Sequence, residues 1–352
     1  MQKNEKNYTI DLVKYIMGII VVTMHSFFLY DNQFLYEIYR TYITVTAVPF
    51  FMITSGFFIG RKYSDELSFD CYLINVIKKY IKLFLILGSY YALLSSVINF
   101  YETKSLSETI ARLFISIIQL SPGGGMWYLA SVAISFAIIL LAKKIKISDF
   151  IILSFSLIPH LLRFLWADTL IAKQNYIHCI YEWCSSNIPG TIQSFIFFSC
   201  FVNIGYILGK MNSKSKIFKY SSLKYSILII IDICLIYFGH LIKNDRDIYG
   251  VIGALIVSIA TFMLSILIFL FAFQCKVHIS DRIPFGKMSM WIYYCHFTVI
   301  TITKIVFSLL KIDHHTTAFS ILCVIICVIL VYVWYYINPY IMNRRNSKKN
   351  NR

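Results

Sequence analysis

Charged residues are scarce in this sequence, and acidic ones are the scarcest. Only 14% of the 352 residues are charged, with 17 Asp and Glu against 33 Lys and Arg. A soluble globular domain carries about a quarter of its residues as charges, so that class is excluded. Intrinsic disorder is excluded from the other side. The chain is 58% hydrophobic and 17% aromatic, whereas disordered chains lack the apolar content to bury a core. The nine cysteines form no CxxC pair and no metal-ligand spacing, and no metal is expected. A nucleotide-hydrolysing phosphate loop is missing too, because the triple glycine of SPGGGMWYL at 121–129 has no Lys-Ser or Lys-Thr after it.

What the sequence does hold is long apolar runs. A membrane-spanning helix needs about 20 mostly apolar residues. Ten runs of that kind lie near 10–30, 41–60, 80–99, 125–142, 147–165, 190–209, 225–242, 251–273, 287–310 and 316–338. The expected fold is therefore an all-α, polytopic membrane helical bundle of about ten transmembrane helices. The chain reads as a single membrane domain over 1–352, with short tails at 1–9 and 341–352 and no soluble domain. The fifth run is interrupted by Pro159, His160 and Arg163, and either a tilted span or a re-entrant helix fits it.

The excess of cations gives a net charge of +16, and most of them fall in loops on one side of these runs. That is the positive-inside pattern, which reports orientation and contact with anionic lipid rather than nucleic acid. Lys143, Lys144 and Lys146 before the fifth run must share a side with the basic 210–224 segment after the sixth. This keeps the fifth run as a crossing and places both termini in the cytoplasm. No small-residue cleavage site follows the first run, so it is expected to stay in the membrane. Most cysteines, among them Cys200, Cys234, Cys295, Cys323 and Cys327, lie inside apolar runs as small hydrophobes. Cys179 and Cys184 share an outer segment, 166–189, where oxidation to a disulfide is open to them. That segment also holds Trp166, Asp168, Lys173, Gln174, His178, Glu182 and Trp183, a polar and aromatic mixture suited to a carbohydrate.

Ionisable groups inside a membrane are costly and point to function by default. In the first run Lys14 and His25 are eleven residues apart. At 100° and 1.5 Å per residue they share nearly one helix face, roughly 16 Å apart, with Asp11 and Gly18 on the same stripe. Taken singly, Lys14 reads as a snorkelling lysine and His25 as an interhelical hydrogen-bonding residue. Together they read as a cationic site leading to an imidazole that, when neutral, can act as a general base. In the second run VPFFMITSGFFIG, residues 48–60, places Ser55 and Gly56 near the cytoplasmic end, where Gly56 suits close helix packing. Arg61, Lys62, Lys78, Lys79 and Lys82 follow as either a lipid collar or a phosphate funnel. Trp127 and Tyr128 suit an interfacial belt. In GKMSMWIYYCHFTVI, residues 286–300, Ser289, Tyr293 and His296 share one face. Asp232 is a carboxylate inside an apolar run with no partner evident from sequence.

Four of these stretches, in this order, resemble the acyltransferase-3 family of integral membrane O-acyltransferases, bacterial proteins that acetylate cell-surface glycans. DLVKYIMGIIVVTMHS, residues 11–26, is similar to the family's opening Asp, Arg and His, with Lys14 in the place of the arginine. The exchange keeps the charge and gives up the planar fork. The Phe-rich stretch ending in Ser55-Gly56-Phe57, the basic pair Lys79 and Lys82, MWYL at 126–129 and GKMSMWIYYCH at 286–296 continue the match. The resemblance covers essentially the whole chain.

It implies an acyl-CoA donor, most often acetyl-CoA, entering from the cytoplasm, and a carbohydrate acceptor such as O-antigen or capsule, in the bacterial cytoplasmic (inner) membrane. His25 is then the catalytic base, assisted by Lys14. Lys14, Ser55, Gly56, Lys79 and Lys82 are the donor-binding candidates, and Trp127, Tyr128, Ser289, Tyr293 and His296 the acceptor-binding ones. A transporter or flippase is the competing class. Against it, the two halves show no inverted repeat and the intramembrane charges are few.

Overall fold

A computed structural model describes residues 7–63, 66–118, 126–168, 190–211, 216–243, 248–275, 277 and 283–350. Among these the regular structure is entirely helical, with no strand. Among the described residues nine helices are long and apolar enough to cross a membrane. The chain divides into two compact units, residues 1–48 with 271–352, and residues 49–270.

The first unit is built on α1 (Tyr8–His25). Two short turns follow it, α2 (Gln33–Ile38) and a π-helical turn Tyr39–Thr44, which runs on into α3 (Val45–Gly60). Asn7 caps α1, its side chain accepting from the Ile10 amide at 3.1 Å, which satisfies one of the orphan donors of the first turn. The first apolar run extends to residue 30 in sequence, but the helix stops at His25. Beyond it Phe27 and Leu29 turn left-handed, with φ of 60° and 62°, a conformation costly for bulky side chains. The loop is fastened there. Ser26 Oγ lies 2.7 Å from Ser320 Oγ, the Leu29 amide donates to Thr317 Oγ1 at 3.1 Å, and Thr317 Oγ1 donates to Asp31.

Two later helices complete this unit. With the intervening helices α4 (Glu66–Thr103), α5 (Leu106–Ile118), α6 (Trp127–Lys144), α7 (Asp149–Asp168), α8 (Gly190–Lys210), α9 (Ser222–Lys243) and α10 (Ile248–Gln274), they are α11 (Phe285–Leu309) and α12 (Thr317–Asn350). Val22, Met288, Ile292, Val299, Phe319, Cys323 and Cys327 form the unit's core, so two of the cysteines do pack as small hydrophobes. α1 and α11 run side by side in the same direction: Asp11 lies against Gly286, Gly18 against Ser289 and Ile292, and His25 beside His296.

The second unit is held by an all-glycine seam. Gly56 and Gly60 of α3 face Gly205 and Gly209 of α8. A Cβ on any of the four would come within 2.2 Å of a carbonyl oxygen on the facing helix, so the backbones touch directly, as in small-xxx-small membrane packing. Phe50 and Phe57 pack on Phe269, and Phe201 on Phe262.

α7 realises the ambiguous fifth run. It lies antiparallel to α8 along most of its length: Lys210 pairs with Asp149, Asn203 Nδ2 donates to Ser156 Oγ at 2.9 Å, and His160 Nδ1 lies 2.9 Å from the Phe197 carbonyl. The direction of α11 gives a second argument. For α1 and α11 to start on one side of a membrane, an even number of crossings must precede α11. Seven of the nine long apolar helices come before it, so one more is needed. The 20 residues of α7 span about 30 Å, enough for the hydrocarbon layer, whereas the 13 of α5 reach only about 20 Å. With α7 added to the nine, the crossings among the described residues come to ten. α4 is longer than its apolar run, 38 residues instead of the 80–99 stretch. At about 57 Å it exceeds the bilayer core and must tilt or project beyond it.

Candidate functional site

In the first unit α1 and α11 carry Lys14, His25, Ser289, Tyr293 and His296, the polar side chains singled out from sequence. At their shared start Lys14 pairs with Asp11 at 3.6 Å, each side chain about 20% exposed. The Asp11 carboxylate fits against α11 only because Gly286 has no side chain: a Cβ there would lie 2.5 Å from Oδ1. This places a negative charge by the first turn of α11, where free amides and the helix dipole favour it.

At the other end of the stripe His25 is half-buried, its ring 4.6 Å from that of Phe297 and 5.7 Å from that of His296. His296 is 1% exposed, and its Nδ1 lies 2.7 Å from the Tyr293 carbonyl oxygen. A carbonyl only accepts, so Nδ1 carries the proton, and in the neutral ring Nε2 carries the lone pair. That buried Nε2 has no hydrogen-bond partner among the described residues, which is uncommon for a buried polar atom. The Tyr293 ring lies 5.8 Å from that of His296. Ser289 is buried and donates to the Gly286 carbonyl at 3.0 Å. Lys14, His25, Ser289, Tyr293 and His296 are thus brought onto two adjacent helices. The resemblance did not assign Asp11 a role, and Gly286 was quoted only as part of a motif; the signal for both was the need to place a carboxylate beside a helix start.

In the second unit Ser55 Oγ lies 2.9 Å from Tyr128 Oη and 3.3 Å from Tyr80 Oη. Two of these hydroxyls were singled out from sequence. Tyr80 was missed, although a tyrosine between Lys79 and Lys82 in an apolar helix is a readable signal. Trp127 packs on Phe198 with ring centroids 5.3 Å apart. Gly56 is taken up by the seam with α8, its Cβ position 2.1 Å from the Val202 carbonyl. Lys78, Lys79 and Lys82 are exposed along α4. A cavity of about 850 Å³ opens at the end of this unit where α6 meets α7, lined among others by Tyr63, Asp70, Lys143, Lys144, Lys146 and Lys210. Lys143 bridges to Asp70 at 2.7 Å, and the Lys210 ammonium stands 4.1 Å from the Tyr63 ring. In sequence these lysines marked only sidedness. Asp232 is 6% exposed on α9, with Oδ2 lacking a hydrogen-bond partner among the described residues. The side chains of Trp166, Asp168, Lys173, Gln174, His178, Glu182 and Trp183, the pair Cys179 and Cys184, and the 121–125 segment lie outside the described residues.

The sequence model of one family, described as an acyltransferase domain, matches residues 7–337. No curated protein and no solved structure matches the chain.

Proposed function

The chain belongs to the acyltransferase-3 family, and from that premise we propose that it transfers an acyl group, acetyl first among them, from cytoplasmic acyl-CoA to a hydroxyl of a cell-surface carbohydrate or its lipid-linked precursor, as a multi-pass protein of the bacterial cytoplasmic membrane. The observation that carries this reading is the pair of adjacent imidazoles, His25 and His296, at one end of a stripe whose other end holds Lys14 with Asp11.

His25 takes the proton of the acceptor hydroxyl as that oxygen attacks the thioester carbonyl. The tetrahedral intermediate then expels the CoA thiolate, which takes the proton from the imidazolium to leave as the thiol and return the imidazole to its neutral form. A positioned base of this kind contributes about 10² to 10⁴ in rate. The lone pair of His296 Nε2 faces the same step, and it orients the acceptor or relays the proton. Ser289 and Tyr293, on the same helix as His296, are the donor candidates for the developing oxyanion, and Ser55, held by its contact with Tyr128, is a candidate for acyl-CoA binding. The donor's phosphates meet Lys14, Lys79 and Lys82. Asp11 already takes part of the Lys14 charge, so the exposed pair on α4 offers the freer positive charge.

The test is labelled acetyl-CoA supplied to membranes holding the chain, with label followed into glycan. His25→Ala is expected to abolish transfer, and Lys14→Ala to raise the donor concentration needed while leaving maximal transfer close to unaltered. Equal transfer by all three proteins removes both roles. A transporter would be indifferent to the donor, whereas this reading requires acetyl-CoA to raise the melting temperature of the purified protein.

A further inference from the structure

The loop joining α11 to α12 lies at the end of the first unit opposite the starts of α1 and α11, the outer face under the positive-inside orientation. It carries Asp313, His314 and His315 in succession. One ligand atom from each can be chosen so that all three lie within 4.8 Å of one another. We propose that these three side chains form a binding site for a divalent transition-metal ion of the zinc class.

The geometry needs little adjustment. Zinc bonds to nitrogen and carboxylate oxygen are about 2.0–2.2 Å, so tetrahedral ligand atoms stand about 3.3–3.6 Å apart. His315 Nδ1 and Asp313 Oδ1 are already 3.1 Å apart. The remaining separations close by about 1.5 Å at most, within reach of a side-chain rotation of His314. Asp313 Oδ1 also accepts from the His315 amide at 2.9 Å, which holds the carboxylate over the turn. Lys311, at φ 58°, sets the direction of the loop.

The imidazoles are mounted on a fixed wall. Phe27 stands 4.5 Å from the His315 ring and 6.0 Å from that of His314, and Phe319, fully buried in the core, stands 6.0 Å from His314. Apolar walls of this kind fix ligand orientation, as outer shells of metal sites do. Two imidazoles with one carboxylate suit zinc, copper or nickel rather than magnesium or calcium, which prefer oxygen ligands. Three adjacent residues fit no CxxC or HxxxH spacing, so the cluster was invisible as a motif. A metal held there would tie the α11–α12 loop to Phe27, two residues beyond His25, and fix the outer end of α1.

The experiment is a titration of the purified full-length chain in detergent micelles with Zn²⁺ by calorimetry, with Co²⁺ absorption as a spectroscopic check. One Zn²⁺ per chain in the micromolar range is expected, with no competition from millimolar Mg²⁺. His314→Ala and His315→Gln each weaken binding about tenfold or more, since loss of a ligand costs at least as much as loss of an outer-shell partner. Zn²⁺ should raise the melting temperature of the unaltered chain but not of the double variant. The assignment is overturned if the double variant binds Zn²⁺ as tightly as the unaltered chain, if the unaltered chain binds none, or if Mg²⁺ competes on equal terms. All three side chains lie in a surface loop, and the melting curves themselves report whether each variant is folded.

Discussion

Replacing Gly56 by alanine separates two roles for that residue, helix packing and donor contact. In an unobstructed helix the change would gain about 1 kcal/mol of propensity. Here the added Cβ meets the Val202 carbonyl oxygen at 2.1 Å and the Tyr206 amide at 2.8 Å, where ordinary contact begins at 3.4 Å. The facing helix must retreat by about 1.3 Å, the difference between 3.4 and 2.1 Å. Both obstructing atoms belong to backbone, so no side chain can turn away. Retreat also opens the contacts at Gly60, Gly205 and Gly209, which share the seam. Overpacking of this sort costs typically about 1–3 kcal/mol and at times more; with backbone atoms on both sides of the clash the upper end applies, so a net loss of about 2 kcal/mol remains after the propensity gain of about 1 kcal/mol.

The assay is thermal unfolding of the purified protein in detergent, with Gly18→Ala as control. The Gly18 Cβ position meets Ile292 at 3.6 Å, an ordinary contact, so that variant should melt at or slightly above the unaltered temperature. Gly56→Ala should melt several degrees lower. If it melts no lower than Gly18→Ala, the seam reasoning is refuted. A variant that melts normally but binds acetyl-CoA poorly would return Gly56 to the donor site.

Other consequences are open to measurement. Gly286→Ala drives the Asp11 carboxylate off the start of α11 and away from Lys14. Melting should change little, because a partly exposed ion pair is worth about 1 kcal/mol or less, but the donor dependence of transfer should shift; an unchanged dependence would detach Asp11 from the donor end. Ser55→Ala and Tyr128→Phe each remove one end of the same 2.9 Å contact, so in a double-mutant cycle their effects on transfer should fall short of adding, and strict additivity would show that the contact is idle. Hydrogen bonds from Thr317 hold the Asp31 carboxyl below its ordinary value of 3.8. A depressed carboxyl contributes stability above that value and loses it as pH falls through the lower native one. Thr317→Val should therefore speed amide exchange in the 26–32 loop at pH 7, with the difference fading in acid; a difference constant across pH would mean that the hydroxyl acts without the carboxylate.

Nine of the spans were legible because apolar length is what a bilayer demands, and run length reads directly from sequence; the tenth, α7, needed the direction of α11. Helix ends were less legible. His25 terminates α1 through a left-handed Phe27 and a clasp on Ser320 and Thr317, contacts almost 300 positions away along the chain. The stripe of Lys14 and His25 followed from helical periodicity alone. Its pairing with Gly286 and His296 did not, because a period says which residues share a face and nothing about which helix they meet. Gly56 illustrates the same limit: the Ser-Gly pair was visible, whereas its use as a backbone contact depends on Gly205 and Gly209.

The common direction of α1 and α11 restricts how such a chain can be altered over generations. A gene that gained or lost one hydrophobic segment between them would deliver the later helix upside down, with the imidazole of His296 exiled to the wrong leaflet. Changes in segment number there must come in twos. The crossing whose apolar run is interrupted by Pro159, His160 and Arg163, α7, is for that reason no more dispensable than the unbroken ones.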